Sequence, residues 1–116
     1  MSWKESFKEG KEIVLSTCSK DGKPNANIVI SLGFVDNKLL TADCQMDTTI
    51  KNLKETKKIC ILGGYSRIKG DVEIFSSGKY FDLCVKKNKE YNVKNAILVN
   101  INKVFDLNKL KRINLF

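Results

Sequence analysis

The feature that most restricts the fold is a series of short apolar segments separated by residues that favour turns. These segments lie at residues 12–18, 25–34, 38–43, 58–65, 68–75 and 96–105. Runs of this kind, rich in Val, Ile and Leu and bounded by Gly, Asn, Asp or Pro, are typical of β-strands. An Asp-Gly pair at residues 21–22 and an Asp-Asn pair at residues 36–37 predict tight turns. The chain is therefore predicted to begin as a three-stranded antiparallel meander.

Three other segments have the spacing of helices. Trp3 and Phe7 are four residues apart among charged residues, which predicts a short amphipathic helix ending at Gly10. Two further helices are predicted at residues 48–55 and 79–89. Their inward-facing side chains are predicted to be Ile50 and Leu53 in the first, and Tyr80, Phe81, Leu83, Cys84 and Val85 in the second. Six strands interrupted by these helices indicate a mainly β fold, a closed or nearly closed antiparallel barrel.

Length and composition indicate one small domain. The chain has 116 residues, a common size for a single domain, so residues 1–116 are predicted to form one. No apolar run is long enough to cross a membrane, and the first residues lack the apolar core of a signal peptide. The four cysteines are widely spaced and form no C-x-x-C pair, which favours free thiols in a reducing compartment. We therefore expect a cytoplasmic protein.

The absence of histidine restricts the chemistry that the chain can perform. It excludes Ser-His-Asp and Cys-His nucleophile systems as well as His-ligated zinc, and it removes the commonest general base. No catalytic side chain and no metal ligand is predicted. Any reaction is expected to depend on a cofactor, or on carboxylates, lysines or tyrosines, and the sequence leaves open whether the protein is an enzyme.

The net charge of +8 comes from 21 basic and 13 acidic residues, and all but two of the basic residues are lysines. Lysine-rich surfaces often serve solubility alone, whereas a positive surplus also attracts phosphate-bearing partners. The aromatic residues are distributed one per segment and do not form paired stacking platforms. A nucleic-acid-binding barrel is therefore an alternative, but nucleic acid is not the expected partner.

Several motifs occur in a characteristic order. They are IVLST at residues 13–17 with DGKP at 21–24, LTAD at 40–43 with TTIKNL at 48–53, KICI at 58–61, KGDVEI at 69–74 and SGKYF at 77–81. In order and spacing they resemble the pyridoxamine-phosphate-oxidase-like, FMN-binding split-barrel family over nearly the whole chain. The resemblance implies a six-stranded antiparallel split β-barrel of Greek-key type with short flanking helices. It also implies a flavoprotein, an oxidoreductase or electron carrier, that holds FMN at a homodimer interface.

The resemblance also places the cofactor. In the family, the second strand and the loop after the third strand hold the flavin. The corresponding residues of this chain are Asn27, Ile28, Val29, Asp43, Cys44, Met46, Thr48, Thr49 and Asn52. The segment at residues 43–52 is thus predicted to receive the flavin phosphate.

Elementary chemistry supports a phosphate at the start of the helix at residues 48–55. A helix N-terminus offers unpaired N–H groups and a partial positive charge, and the hydroxyls of Thr48 and Thr49 add donors. The same residues also suit an ordinary helix start capped by Asp47 or Thr48. Likewise, Asn52 could fasten the helix, Cys44 and Met46 could be core residues, and Asn27 could lie on an exposed strand face.

One position departs from the family pattern. Related small members often have a lysine or arginine just before the threonine at the helix start, and this chain has Thr48 there. Asp47 opposes a phosphate by Coulomb repulsion. Lys51, Lys54 or Lys69 would have to supply the missing cation. An alternative is therefore a split barrel without a cofactor, or one that holds haem or a deazaflavin.

Overall fold

The structure is a computed structural model that describes residues 2–115. A 3-10 helix at Trp3–Phe7 precedes the first strand. The following elements are β1 (Glu12–Cys18), β2 (Pro24–Ile30), β3 (Phe34–Val35), β4 (Lys38–Asp43), α1 (Thr48–Thr56), β5 (Lys58–Gly63), β6 (Ser66–Phe75), α2 (Lys79–Lys87), β7 (Asn95–Asp106) and β8 (Lys111–Ile113).

The mainly β character, the antiparallel pairing and the two flanking helices are confirmed, but the predicted number of six strands is wrong. The predicted strand at residues 25–34 is divided into β2 and β3 because residues 31–33 leave the ladder. There Ser31 donates its hydroxyl to the carbonyl of Phe7 at 2.6 Å, and Gly33 adopts a positive φ of 88°. The other additional strand, β8, has three residues, two of them exposed cations, so it shows no alternating pattern.

The strands form one sheet in the order β2-β1-β5-β6-β7-β4-β3, with β8 paired to β7. Within residues 2–115 no strand pairing joins β2 to β3, so of the predicted closed or nearly closed barrel the fully closed form is not observed. Residues 31–33, which connect β2 to β3, form their backbone hydrogen bonds with other segments of the chain. Ser31 N–H donates to the carbonyl of Lys11, and Leu32 N–H donates to that of Leu40.

The main core shows that the sheet curls around its apolar face. Leu15 of β1 and Leu39 of β4 lie near opposite ends of the strand order, yet both are fully buried in the same cluster. Leu53 of α1 is buried in this cluster, and Ile50 packs against it as predicted. A flat sheet would not bring these side chains together, so the curvature follows from their shared burial.

A second cluster lies under α2. Cys84 is fully buried there against Leu40 and Leu98, and Tyr80, Phe81 and Leu83 pack around it. Val85 is an exception to the predicted inward stripe, because its side chain is 44% exposed. No helix in the described part of the chain is long and apolar enough to cross a membrane.

Candidate functional site

The loop that leads into α1 is held by a buried carboxylate. Asp43 is only 1% exposed, at the end of β4. One carboxylate oxygen, Oδ1, accepts from Met46 N–H at 2.8 Å, and Oδ2 accepts from Asn95 Nδ2 at 2.7 Å. The carbonyl of Asp43 also accepts from Lys94 N–H at 2.8 Å. Because buried charge requires such partners, Asp43 fixes the loop that positions the start of α1.

Polar side chains fasten α1 to the sheet. The buried hydroxyl of Thr49 donates to Asn27 Oδ1 at 2.6 Å and accepts from Asn25 Nδ2 at 2.9 Å. Further along the helix, Asn52 Nδ2 donates to Thr17 Oγ1 at 3.1 Å. These bonds link the helix face to β2 and β1. The hydroxyl of Thr49 uses its single proton within the protein, so Thr49 positions the helix start.

Sequence reasoning missed two members of this arrangement, Asn25 and Thr17. The signal for Asn25 was its spacing, because residues two apart on a strand share a face and Asn25 therefore lies beside Asn27. The signal for Thr17 was its inward position in β1, where it continues the buried side of Ile13 and Leu15. Thr17 was thus a polar residue on a buried face and Asn25 is half-buried, but the pattern showed the partner of neither.

The N-terminus of α1 has no side-chain cap within the described residues. Asp47 occupies the cap position with an αR backbone, and its carboxylate makes no capping hydrogen bond. Asp47 and Thr48 are both exposed. The predicted capping by Asp47 is therefore not observed. Since the first N–H groups of a helix have no intrahelical acceptor, this end of α1 has first-turn donors without a side-chain cap at the positive end of the helix dipole.

The predicted site residues do not all lie on this face. Asn27, Thr49 and the start of α1 come together, whereas Ile28 lies on the opposite face of β2 and is 66% exposed. Val29 and Met46 pack against the main core. The position of Ile28 follows from the two-residue period of a strand, which places its side chain on the face opposite to Asn27 and Val29.

Cys44 packs against the cluster under α2, close to Cys84. Burial, and secondly the charge of Asp43, raises the pKa of the Cys44 thiol. Burial, together with the neighbouring Cys44, raises the pKa of Cys84 to about 12. Both groups are therefore protonated near neutral pH and are poor nucleophiles.

The three lysines considered as phosphate partners lie in different places. Lys51 and Lys54 are exposed on α1. Lys69 lines a cavity of about 610 Å³ together with Thr56, the last residue of α1. Thr48 and Thr56 are separated by about 12 Å along a helix that rises about 1.5 Å per residue. Lys69 is thus associated with the end of α1 opposite to its open N-terminus.

An apolar row crosses the outer face of the sheet. Ile28 of β2 is directly opposite Val14 of β1, and Val14 is directly opposite Leu62 of β5. Ile28 is 66% exposed, and Ile30, two residues further along β2, is 49% exposed. We call Ile28, Ile30, Val14 and Leu62 the apolar row. Exposed apolar side chains in such a contiguous arrangement are typical of interaction surfaces.

Comparisons with solved structures show the fold. HupZ from Group A Streptococcus has a TM-score of 0.81 and 19% identity, over 89% of this chain and 90% of that chain. An FMN-binding protein from Syntrophomonas wolfei subsp. wolfei has a TM-score of 0.70 and 22% identity, over 90% and 78%. An F420 reductase has a TM-score of 0.72 and 15% identity, over 91% and 98%. No curated protein matches the sequence.

The family model for pyridoxamine 5'-phosphate oxidase matches residues 3–108. This match covers all the elements from the 3-10 helix to β7, including the loop and helix of the candidate site. The resemblance inferred from the sequence motifs is thereby confirmed. This protein belongs to the pyridoxamine 5'-phosphate oxidase family.

Proposed function

We propose that this protein is an FMN-binding flavoprotein that acts as an oxidoreductase or electron carrier. The observation that carries the proposal is the uncapped start of α1, where no side chain of the cap residue accepts from the first-turn N–H groups and Thr48 is exposed. Such a helix end binds phosphate through hydrogen bonds and the helix dipole. Family membership and the fold shared with an FMN-binding protein from Syntrophomonas wolfei support the choice of ligand.

The described side chains divide the work between positioning and binding. Thr49 and Asn27 hold the first turn of α1 against β2, and Asp43 holds the preceding loop. The hydroxyl of Thr48 and the first-turn N–H groups are then the donors for the phosphate. FMN supplies the hydride or electron transfer when bound. This division suits a chain without histidine, because no side chain is required as the proton-transfer group.

The position of Asp47 provides a test of the phosphate site. Removing its carboxylate with Asp47→Ala relieves a repulsion of roughly 1 kcal/mol, so FMN is expected to bind about fivefold more tightly. Glu55→Ala is the matched control, because it removes the same charge from the other end of α1. Thr48→Val should weaken binding, since it removes the exposed hydroxyl that is proposed to donate to the phosphate while leaving the backbone of the helix start unchanged.

The measurement is a titration of FMN fluorescence, with quenching on binding, for the wild type and the three variants. Wild-type protein that neither carries FMN on purification nor binds added FMN would contradict the proposal. Equal effects of Asp47→Ala and Glu55→Ala would place the phosphate elsewhere. Parallel titrations with F420 and with haem separate FMN from the two alternative ligands.

The proposal includes a homodimer in which a second copy covers the apolar row. Ile28 and Ile30 belong to β2, an edge strand at one end of the sheet order. A two-fold contact would place this face against itself, since isologous interfaces use the same patch on both subunits. Burial of Ile28 and Ile30 would then remove the exposed apolar area that the single chain retains.

A further inference from the structure

Beyond Leu62, the outer face of the sheet becomes cationic. Lys69 of β6 lies directly opposite Lys103 of β7. In the neighbouring row, Arg67 of β6 is opposite Phe105 of β7, which is opposite Arg112 of β8. We call Arg67, Lys69, Lys103 and Arg112 the cationic face. Like charges directly opposite each other destabilise a sheet, so this arrangement has a cost in the absence of an anion.

No ion pair within residues 2–115 involves a residue of the cationic face. Lys69 and Lys103 line the cavity of about 610 Å³. They also line a second cavity of about 230 Å³, together with Arg67 and Arg112. No carboxylate of the described residues lines either cavity. The ion pairs of the described chain involve other lysines, among them Lys38 and Lys79. The two cavities therefore share a pair of unneutralised lysines.

Arg67 provides an independent observation. Its guanidinium carbon lies 5.0 Å from the centre of the Phe105 ring, within the range of a cation–π contact. Its Nε atom is buried and has no hydrogen-bond partner among residues 2–115. A buried donor without a partner is costly and calls for an explanation such as a bound ion. A guanidinium held in this way is suited to bidentate binding of phosphate oxygens.

We propose that the cationic face is a binding site for a small phosphorylated molecule, with a diphosphate group held between the Lys69–Lys103 pair and Arg67. Two lysines and two arginines match the charge of a diphosphate better than that of a single phosphate. Because Arg67 lies over one face of the Phe105 ring, that face is not free to stack on a base, which favours a small phosphorylated molecule over a nucleic-acid strand.

This site is separate from the proposed flavin phosphate site. The larger cavity is lined by Thr56, at the C-terminal end of α1, whereas the proposed flavin phosphate binds at Thr48. A ligand of the cationic face would therefore leave the uncapped helix start free.

Titration calorimetry with inorganic pyrophosphate tests the proposal. The double variant Lys69→Gln/Lys103→Gln is expected to bind roughly tenfold more weakly or worse, because two charge-assisted contacts are lost. The control Lys86→Gln/Lys89→Gln removes the same charge from two exposed lysines elsewhere and should leave affinity unchanged. Thermal melting provides a check on folding, since removing the opposed lysines should not lower the melting temperature.

Four outcomes would overturn the proposal. The first is no binding of pyrophosphate by the wild type, and the second is equal weakening in both double variants. The third is length-dependent binding of single-stranded oligonucleotides that displaces pyrophosphate, which would make the face a nucleic-acid surface. If Lys69→Gln/Lys103→Gln also lost FMN, the face would be the flavin's own phosphate site and the second site would be rejected. If FMN failed to bind while pyrophosphate bound, only the proposed flavin function would fail.

Discussion

At the scale of single residues, Thr49 has the most demanding environment in the candidate site. Its buried hydroxyl is donor to Asn27 and acceptor from Asn25. Thr49→Val keeps the shape of the side chain but leaves both amide groups without this partner. The free energy of unfolding is therefore expected to fall by about 1–3 kcal/mol.

Urea denaturation measures this loss, with Thr48→Val as the matched control. Thr48 is exposed, so the control should change stability by less than about 0.5 kcal/mol. Equal losses for the two variants would mean that the hydroxyl of Thr49 is not structurally important.

The sequence identified Thr49 and Asn27 as site residues but left their role undecided. A threonine at this position is equally suited to donating a hydrogen bond to a phosphate and to holding the helix against the sheet. The choice depends on which strand residue lies opposite the helix, and that follows from tertiary packing of α1 on β2. For the same reason Asn25 was missed, although it shares a strand face with Asn27.

Asp71 makes stability depend on pH. Asn100 Nδ2 donates to its carboxylate at 2.8 Å, and this bond is the main reason that the pKa of Asp71 is lowered from 3.8. Because the pKa of Asp71 is lower in the folded protein than in the unfolded chain, its ionised carboxylate stabilises the fold at pH values above the unfolded-state pKa. This stabilisation is lost as pH falls through the lower folded value.

Asp71→Asn should therefore reduce the difference in unfolding free energy between pH 6 and pH 3, as measured by urea denaturation at each pH. Asn100→Ala is the companion variant, because it removes the main hydrogen bond and should raise the pKa of Asp71 observed by NMR. An unchanged pH profile in Asp71→Asn would assign the acid sensitivity to other carboxylates.

At the scale of elements, β6 depends on a glycine. The pairing register of β6 with β7 shifts between Lys69 and Gly70. A Cβ atom on Gly70 would lie 2.1 Å from the backbone oxygen of Asn100, so the strands would have to move. Gly70→Ala is expected to destabilise the protein by about 1–3 kcal/mol or more.

Thermal and urea unfolding check this expectation against Glu73→Ala, an exposed position on the same strand. A Gly70→Ala protein as stable as the control would show that the bulge accommodates a methyl group.

The elements differed in how well their sequences predicted them. The bounds of β1 and β4 match the predicted segments, because a run of apolar residues and the flanking turn residues agree there. Both missed strands, β3 and β8, have three residues or fewer, too short for a period to be visible. Val85 was placed inward because it is apolar, but its position on α2 faces solvent.

At the scale of the whole molecule, the apolar row predicts the state of association. The wild type is expected to have twice the 13.2 kDa chain mass in solution, and Ile28→Lys is expected to have the mass of a single chain. Tyr91→Lys is the matched control, because Tyr91 is also 66% exposed but lies outside the row.

Light scattering coupled to gel filtration measures these masses. A monomeric wild type would contradict the proposed homodimer, and dissociation in both variants would show that the effect is not specific to the row.

The mainly β class followed from local patterns, whereas the strand order did not. Adjacent β1 and β2 are joined by an Asp-Gly turn that is visible in the sequence. The neighbours β1 and β5, by contrast, meet only because both bury apolar side chains in one core. Pairings of this kind can be predicted from the resemblance to a family, but not from the periodicity of the sequence.

The strand order has a kinetic consequence. β7 pairs with β4, β6 and β8, so the sheet cannot be completed before residues 95–106 are in place. Folding dominated by such distant pairings is expected on a time scale of roughly milliseconds to seconds. Trp3, the single tryptophan, packs edge-on against Phe7 and Phe34, with ring centres 6.0 and 5.9 Å away. Its fluorescence in stopped-flow refolding would therefore report when the N-terminal segment docks on the sheet.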